Sequence, residues 1–190
     1  MTDGAGDAPS VAARDDLAGV VDLFGSLTRA ELSRALSELA FKRRTEVDED
    51  AIAAAIDLAI AEYAIVPAPR SAVSVDEDSG DGGSVDESPV GEGSGEEGPR
   101  FLAVGPAAFP SLPDGAEDLP HILDVPDRAV DRETLSSAVL DRLSEDAVAA
   151  IEANDTDRLA VLADVTYDIE VWAPVDAGPI RDRIVAELDE

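Results

Sequence analysis

The chain lacks cysteine altogether and has a single histidine, a single lysine and seven aromatic residues among its 190 positions. Without cysteine, disulfides, thiol catalysis and thiolate metal sites are excluded. No apolar run approaches the roughly 18 residues of a membrane-spanning helix. The first residues have neither the basic region nor the apolar core of a signal peptide. These absences predict a soluble cytoplasmic protein.

Basic residues are also scarce, since 14 of them stand against 43 acidic residues and the formal net charge is −29. Such a surface can bind cations or basic partners. We favour a different interpretation, in which the carboxylates keep the surface hydrated in concentrated salt. At 1 M salt the Debye length is only about 3 Å, so exposed charge would steer partners weakly.

The strongest pattern lies between residues 27 and 66 and predicts two amphipathic helices followed by a strand. Thr28 and Glu31 have the spacing of a capping box, which satisfies free backbone donors at a helix start. Residues 42–44 end this helix, and residues 48–50 open the next. The strand is expected over residues 63–66, stopping at Pro67. The apolar helix faces are Leu32, Ala35, Leu36, Leu39 and Ala40, then Ile52, Ala55, Ile56, Ala59 and Tyr63.

A further helix is expected over residues 14–24, with Gly25 as its C-terminal cap. Three helices followed by a strand is the order of a small winged-helix domain. Four of the seven aromatic residues lie in or beside this unit, which places the main core there. They are Phe24, Phe41, Tyr63 and Phe101.

An acidic segment interrupts this unit. Residues 71–99 contain nine acids, no base, seven glycines and six serines. Such a segment cannot bury enough apolar surface to offset its ordering entropy, so we expect disorder. The apolar runs at residues 63–66 and 100–104 flank it. They predict one antiparallel hairpin whose tip is replaced by the insertion.

The C-terminal half is predicted to be helical. Asp131 is expected to cap a long helix that ends near Ala153, and residues 154–156 form a turn and a new N-cap. Residues 165–171 are compatible with helix or strand, and helix is favoured because no turn signal precedes them. The remaining predicted helices are a short one over residues 116–123, interrupted at Pro120, and a last one over residues 178–188 that starts at Pro179.

The predicted fold class is therefore mainly α with one small β-hairpin. It combines a winged-helix-like N-terminal unit with a helical C-terminal half. The expected divisions are a disordered tail at 1–12, the winged-helix-like unit at 13–69 and 100–105, the acidic disordered insertion at 70–99, and a helical part at 106–190 packed on the first unit.

Three motifs resemble a family of short haloarchaeal proteins of unknown function. They are FGSLTRAEL at residues 24–32, VGPAAFP at 104–110 and EDLPHIL at 117–123. The resemblance covers most of the chain outside the tail and the insertion. It implies a source in a halophile and a single structural unit over residues 14–188. It implies no activity and no catalytic residue.

The best candidate for a nucleic-acid site is a basic cluster on the first helix of the pair. A helix-turn-helix could use these bases to contact phosphates. They also complement helix dipoles, which alone accounts for their placement at a helix end. The second helix carries acids where a reading helix needs Arg, Asn or Gln, so DNA binding is the alternative and not the preferred function. The cluster is Arg29, Arg34, Lys42, Arg43 and Arg44.

Two other groups of residues are candidate sites. His121, with Glu117 and Asp124 one helical turn to either side, has metal-ligand spacing, but carboxylates are frequent enough here for chance to produce it. No catalytic motif or phosphate loop is present, so we expect no enzyme, cofactor or metal site. The second candidate group is predicted to form an exposed groove for a partner peptide. It consists of Phe109, Pro110, Leu112, Pro113 and Trp172.

The sequence thus predicts a non-catalytic cytoplasmic interaction or regulatory protein of a halophile, with an unidentified protein partner. The alternative is a winged-helix DNA-binding transcriptional regulator. These two functions would use different surfaces, one apolar and one basic, which makes the placement of the side chains decisive.

Overall fold

Helices dominate the computed structural model, which describes residues 11–45, 47–75 and 101–189. The predicted mainly helical class is confirmed. In this part of the chain the α-helices are α1 (Val11–Asp22), α2 (Arg29–Lys42), α3 (Glu49–Ala61), α4 (Leu119–Ile122), α5 (Arg132–Ala153), α6 (Thr156–Trp172) and α7 (Gly178–Leu188). The strands are β1 (Leu27–Thr28), β2 (Ile65–Ala68), β3 (Val73–Val75), β4 (Phe101–Val104) and β5 (Arg128–Val130).

A three-stranded antiparallel sheet separates two layers of helices. Its order is β1-β4-β2, with β4 in the middle. Successive side chains in a strand point to opposite faces. Ile65 and Leu102 therefore join the core formed with α1, α2 and α3. Val66 and Phe101 join the core formed with α5, α6 and α7. The sheet is buried on both faces and links the two cores.

The predicted hairpin is confirmed as the antiparallel pair of β2 and β4, in which Ile65 faces Val104 and Ala68 faces Phe101. Two details were wrong. The strand does not stop at Pro67, because β2 is an edge strand and a residue without an N–H is tolerated there. Tyr63 is not in the strand. It has φ +61° and terminates α3 in a Schellman arrangement, with the Ala64 N–H bonded to the Ala59 carbonyl.

The predicted start of the insertion was also wrong. Residues 70–72 form a 3-10 turn that buries Ala72, and β3 pairs with β5 in a second small sheet, with Ser74 facing Ala129. The fold thus has two small sheets where one hairpin was expected. The disordered tail was predicted to reach residue 12, whereas α1 begins at Val11. The remaining predicted disorder, at residues 1–10 and 76–99, lies outside the described residues.

In the C-terminal half, the helices α5 and α6 begin at the cap residues that the sequence predicts. Asp131 caps α5 through the backbone N–H groups of Glu133 and Thr134, and Asp155 caps α6. Residues 165–171 are helical, as favoured. Pro120 does not interrupt a helix, since it lies in the first turn of α4, where its missing N–H costs nothing. Leu119 packs into the first core. The chain between β4 and β5, which we call the strap, therefore lies across α1–α3.

An ion pair between α2 and β5 fastens the second sheet to the first core. The Arg128 guanidinium donates two bonds of 2.7 Å to the Glu31 carboxylate and one of 3.0 Å to the Ser26 carbonyl. It also lies 4.9 Å from the centroid of the Phe101 ring. Burial alone would raise the pKa of Glu31. The hydrogen bonds from Arg128 and from Thr28 in the capping box outweigh that burial, so this pKa lies below its ordinary value of 4.5.

A second polar cluster joins the end of α3 to the C-terminal helices. The Tyr63 hydroxyl donates to Asp146 at 2.8 Å, and Arg158 donates to the same carboxylate oxygen at 2.9 Å. Arg142 and Arg158 each donate at 2.7 Å to a carbonyl oxygen in the last turn of α3. Positive charge at a helix C-terminus is favourable because it opposes the helix dipole. Burial and the bond to Asp146 raise the pKa of Tyr63 far above its usual range.

No helix in residues 11–45, 47–75 or 101–189 has the length and apolar character needed to cross a membrane.

Candidate interaction surface

The five bases of the predicted nucleic-acid site do not form one free cluster. Arg29 pairs with Asp57 at 2.7 Å and also bonds the Ala53 carbonyl. Lys42 pairs with Asp118 at 2.9 Å, and this hydrogen bond holds the pKa of the Asp118 carboxyl below its usual range. Arg43 donates two hydrogen bonds to the Asp114 carbonyl. Three of the five bases thus contact α3 or the strap that follows β4.

Among the described residues, Arg34, Arg43 and Arg44 are exposed and have no carboxylate partner, and of these only Arg43 bonds a backbone carbonyl. The outer side of α3, which would have to read bases, is acidic or small. Its exposed residues are Glu49, Asp50, Ala51, Ala54 and Asp57. Phosphate would be repelled by this face, and none of these side chains donates a hydrogen bond to a base edge.

Phe41 is the most conspicuous residue of this region, because 80% of its surface is exposed. The other three aromatic residues of the N-terminal unit, Phe24, Tyr63 and Phe101, are buried. The sequence contained the signal. The inward positions of α2 are spaced three and four apart up to Leu39 and Ala40, and Phe41 falls on the other side with Arg34 and Ser37.

An apolar groove runs beside Phe41. A cavity of about 290 Å³ lies between α1, α2 and α3 and reaches exposed residues at Thr45 and Val47. Depressions around Phe41 share Thr45 with this cavity and continue it across the end of α2. Asp16 and Arg43 are the charged residues of its wall. The apolar walls include Leu17, Val20, Leu36, Leu39, Ile52 and Ala55.

We call this region the Phe41 surface and define it by Ser37, Ala40, Phe41, Arg44, Thr45 and Val47. Its backbone is unusual at Arg44, which has φ +54° and ends α2 in a Schellman motif. Glycine is the usual residue at such a position, because a Cβ is strained there. Tyr63 and Asn154 adopt the same conformation at the ends of α3 and α5, so among the described residues it accompanies the end of a helix.

The structure does not join the residues of the predicted Pro–aromatic groove. Phe109 is 82% exposed, and its backbone N–H bonds the Asp15 carboxylate on α1. Pro113 is buried. Trp172 is half-buried at the end of α6, where its ring lies 5.4 Å from the Arg132 guanidinium. Phe109 and Trp172 therefore belong to different parts of the molecule.

His121 is exposed on α4, and the described residues contain no group of three or more carboxylate or imidazole side chains placed to hold a metal ion. Glu117 and Asp124 therefore do not form a site with it. The Phe41 surface combines apolar side chains with Arg44 and the hydroxyls of Ser37 and Thr45, and Asp48 lines the same depression.

Comparison with known proteins gives one match. A model of a family of unknown function matches residues 15–189, which is nearly the whole chain. No curated protein and no solved structure matches the chain. The matched range includes every residue of the Phe41 surface, so this surface lies inside the region that defines the family.

Proposed function

The chain belongs to the DUF7109 family, whose function is unknown, and we propose that it is a non-catalytic interaction or regulatory protein of the cytoplasm. The observation that carries the proposal is the Phe41 surface, an exposed ring next to an apolar groove on a chain of net charge −29. Aromatic side chains beside pockets are the usual anchors of protein interfaces.

A photoreactive phenylalanine analogue at position 41 tests this proposal. We expect ultraviolet light to link position 41 to a protein in a high-salt lysate. The same analogue at position 109, which is equally exposed, is the matched control and should give little product. Equal labelling from both positions, or none from position 41, would contradict an interaction through the Phe41 surface.

DNA binding is the second candidate, and the arrangement of the first unit favours it. Helix α1, strand β1, helices α2 and α3 and the β2–β4 pair, with β4 between β1 and β2, follow the order that we expect of a winged helix. The acidic outer side of α3 and the internal contacts of Arg29, Lys42 and Arg43 oppose it. A nucleic-acid adduct at position 41 would favour this candidate over the first.

We also propose that the acidic surface adapts the protein to a halophilic, haloarchaeal cytoplasm. With 43 acids on 190 residues, like charges repel across the folded surface unless salt screens them. Circular dichroism during dialysis should therefore show the helix signal falling as salt is lowered and returning when it is restored. A helix signal that stays constant into dilute buffer would exclude this origin for the charge.

A further inference from the structure

A second cavity lies where the two cores and the two sheets meet. Its volume is about 180 Å³, and its walls come from the end of α1, the end of β4, strand β5, the start of α5 and the end of α6. It shares no residue with the Phe41 surface, so the two places can be tested separately. We call it the junction cavity and define it by Asp22, Gly25, Val104, Arg132 and Trp172.

Two opposite charges line the junction cavity without pairing with each other. Asp22 and Arg132 are both exposed, and neither belongs to an ion pair in the described part of the chain. The Arg132 guanidinium lies 5.4 Å from the centroid of the Trp172 ring, which lines the same cavity. A molecule that enters the junction cavity therefore meets a free carboxylate and a free guanidinium.

Helix dipoles do not account for the placement of these two charges. Asp22 is the last residue of α1, and Arg132 is the first residue of α5. A carboxylate is unfavourable at a helix C-terminus, and a cation is unfavourable at a helix N-terminus. Each charge thus lies at the end of its helix that it does not stabilise, in contrast to Arg158 at the end of α3. Their position points to a partner outside the helices.

The central strand of the larger sheet adds a backbone donor. The Gly105 N–H bonds the Ala64 carbonyl on the β2 side, and the backbone groups of successive residues alternate between the two sides of a strand. Those of Val104 therefore face the β1 side. Strand β1 begins at Leu27, opposite Leu102, so no strand residue lies opposite Val104. Its N–H has no strand partner at the wall of the junction cavity.

We propose that the junction cavity binds a small α-amino acid as its zwitterion. The ligand's carboxylate accepts hydrogen bonds from the Arg132 guanidinium and the Val104 N–H, and its ammonium group donates to the Asp22 carboxylate. A simple anion would be repelled by Asp22, and a simple cation would be repelled by Arg132. A ligand that carries both charges satisfies both residues, and repulsion of the others supplies specificity. This inference goes beyond the proposed function, because the Phe41 surface does not require it.

The volume of the junction cavity limits the size of the ligand. An apolar cavity of about 150 Å³ is enough to bind benzene, and alanine has as many heavy atoms as benzene. The junction cavity, at about 180 Å³, therefore has room for an amino acid with a small side chain. Sites for larger ligands usually measure about 300–1,000 Å³, so bulky amino acids should be excluded.

Titration of the full chain with L-alanine in constant high salt is the test. Trp172 is the single tryptophan of the chain and lines the cavity, so its fluorescence should change saturably as alanine binds. Acetate and ethylamine each carry one of the two charges, and each should bind at least about tenfold more weakly, because one of the two charge-assisted contacts is missing. Equilibrium dialysis with radiolabelled alanine measures the same binding without relying on fluorescence.

Two variants identify which residue holds which end of the ligand. Arg132→Gln should raise the dissociation constant of alanine about tenfold or more and weaken acetate as well. Asp22→Asn should weaken alanine by a similar factor but leave acetate binding unchanged or stronger. Arg183→Gln is the matched control, because Arg183 is exposed on α7 and has no carboxylate partner among the described residues. It should leave every dissociation constant unchanged.

Thermal stability separates binding from a structural role. Asp22→Asn removes a charge that opposes its helix dipole, so the melting temperature followed by circular dichroism should be kept or raised while alanine binding weakens. Absence of alanine binding in dialysis, equal affinity for alanine and acetate, or equal effects of Arg132→Gln and Arg183→Gln would overturn the site. None of these results changes the expected crosslinking from position 41, so the proposed function is judged separately.

Discussion

Replacing Arg128 with methionine is expected to lower the free energy of unfolding by about 3 kcal/mol, the lower end of the cost of breaking a buried ion pair. The Arg128 side chain is only 8% exposed and makes both bonds to Glu31. Methionine retains most of the apolar packing but leaves the Glu31 carboxylate without its cation. Chemical denaturation measures the change.

Arg29→Met is the matched control for this prediction. Arg29 also pairs with a carboxylate on another helix, but both side chains are largely exposed. Its removal should cost less than about 1 kcal/mol. Equal losses for the two variants would show that the Arg128 contact has no special role in joining β5 to α2.

The effect of Arg128→Met should also depend on pH. The folded-state pKa of Glu31 lies below its ordinary value of 4.5. The pair therefore stabilises the fold above pH 4.5, and this contribution disappears as pH falls through the lower folded-state pKa. The stability difference between the original chain and Arg128→Met should thus shrink in acid. A difference that grows below pH 4.5 would contradict the assignment.

Replacing Asp146 with alanine is expected to cost about 2–3 kcal/mol, because hydrogen bonds to charged groups are the stronger ones and their loss leaves buried polar atoms unpaired. Asp146 accepts from both Tyr63 and Arg158. The variant keeps the bonds from Arg142 and Arg158 to the end of α3, so helix capping persists. Thermal and denaturant unfolding in constant high salt measure the loss.

A double-mutant cycle with Tyr63→Phe identifies the cause. If the Tyr63–Asp146 bond supplies much of the stability, the two changes together should cost less than the sum of their separate costs. Asp57→Ala, which removes an exposed carboxylate from its pair with Arg29, is the control and should change stability little. Additive losses would mean that the two residues act independently.

Local signals explain why the helices were predictable. Thr28 with Glu31, Asp131 and Asp155 are cap residues whose side chains bond nearby backbone N–H groups, and such bonds depend only on neighbouring residues. Residues 165–171 continued a helical face without a turn signal, which was enough to identify α6. Element types fixed by contacts within one or two turns can be read from the chain.

The small sheets were harder to predict from the sequence, because β1, β3 and β5 have only two or three residues each. Their pairing depends on partners far away in the chain, such as Leu102 for Leu27. One signal was available and was not used. Residues 64–66 and 101–104 are continuously apolar, without the alternation of a half-exposed strand, and such runs indicate a strand buried on both faces. That pattern would have predicted a layer of helices on each side.

Part of the candidate site could be predicted from the sequence. The position of Phe41 opposite the apolar face of α2 follows from helix geometry alone. The internal contacts of Lys42 and Arg43 do not, because they depend on the path of the strap more than 70 residues later. The basic cluster therefore looked free in the sequence and is largely engaged in the fold.

The edges of the three-stranded sheet limit how the molecule can aggregate. One edge strand, β1, has two residues, and the other, β2, carries Pro67. A new strand needs a row of free backbone donors and acceptors to add to a sheet, and a very short strand or a proline denies it that row. This sheet therefore offers no template for strand addition, domain exchange or fibril growth. Copies of the chain that associate would have to meet at a place other than the edges of this sheet.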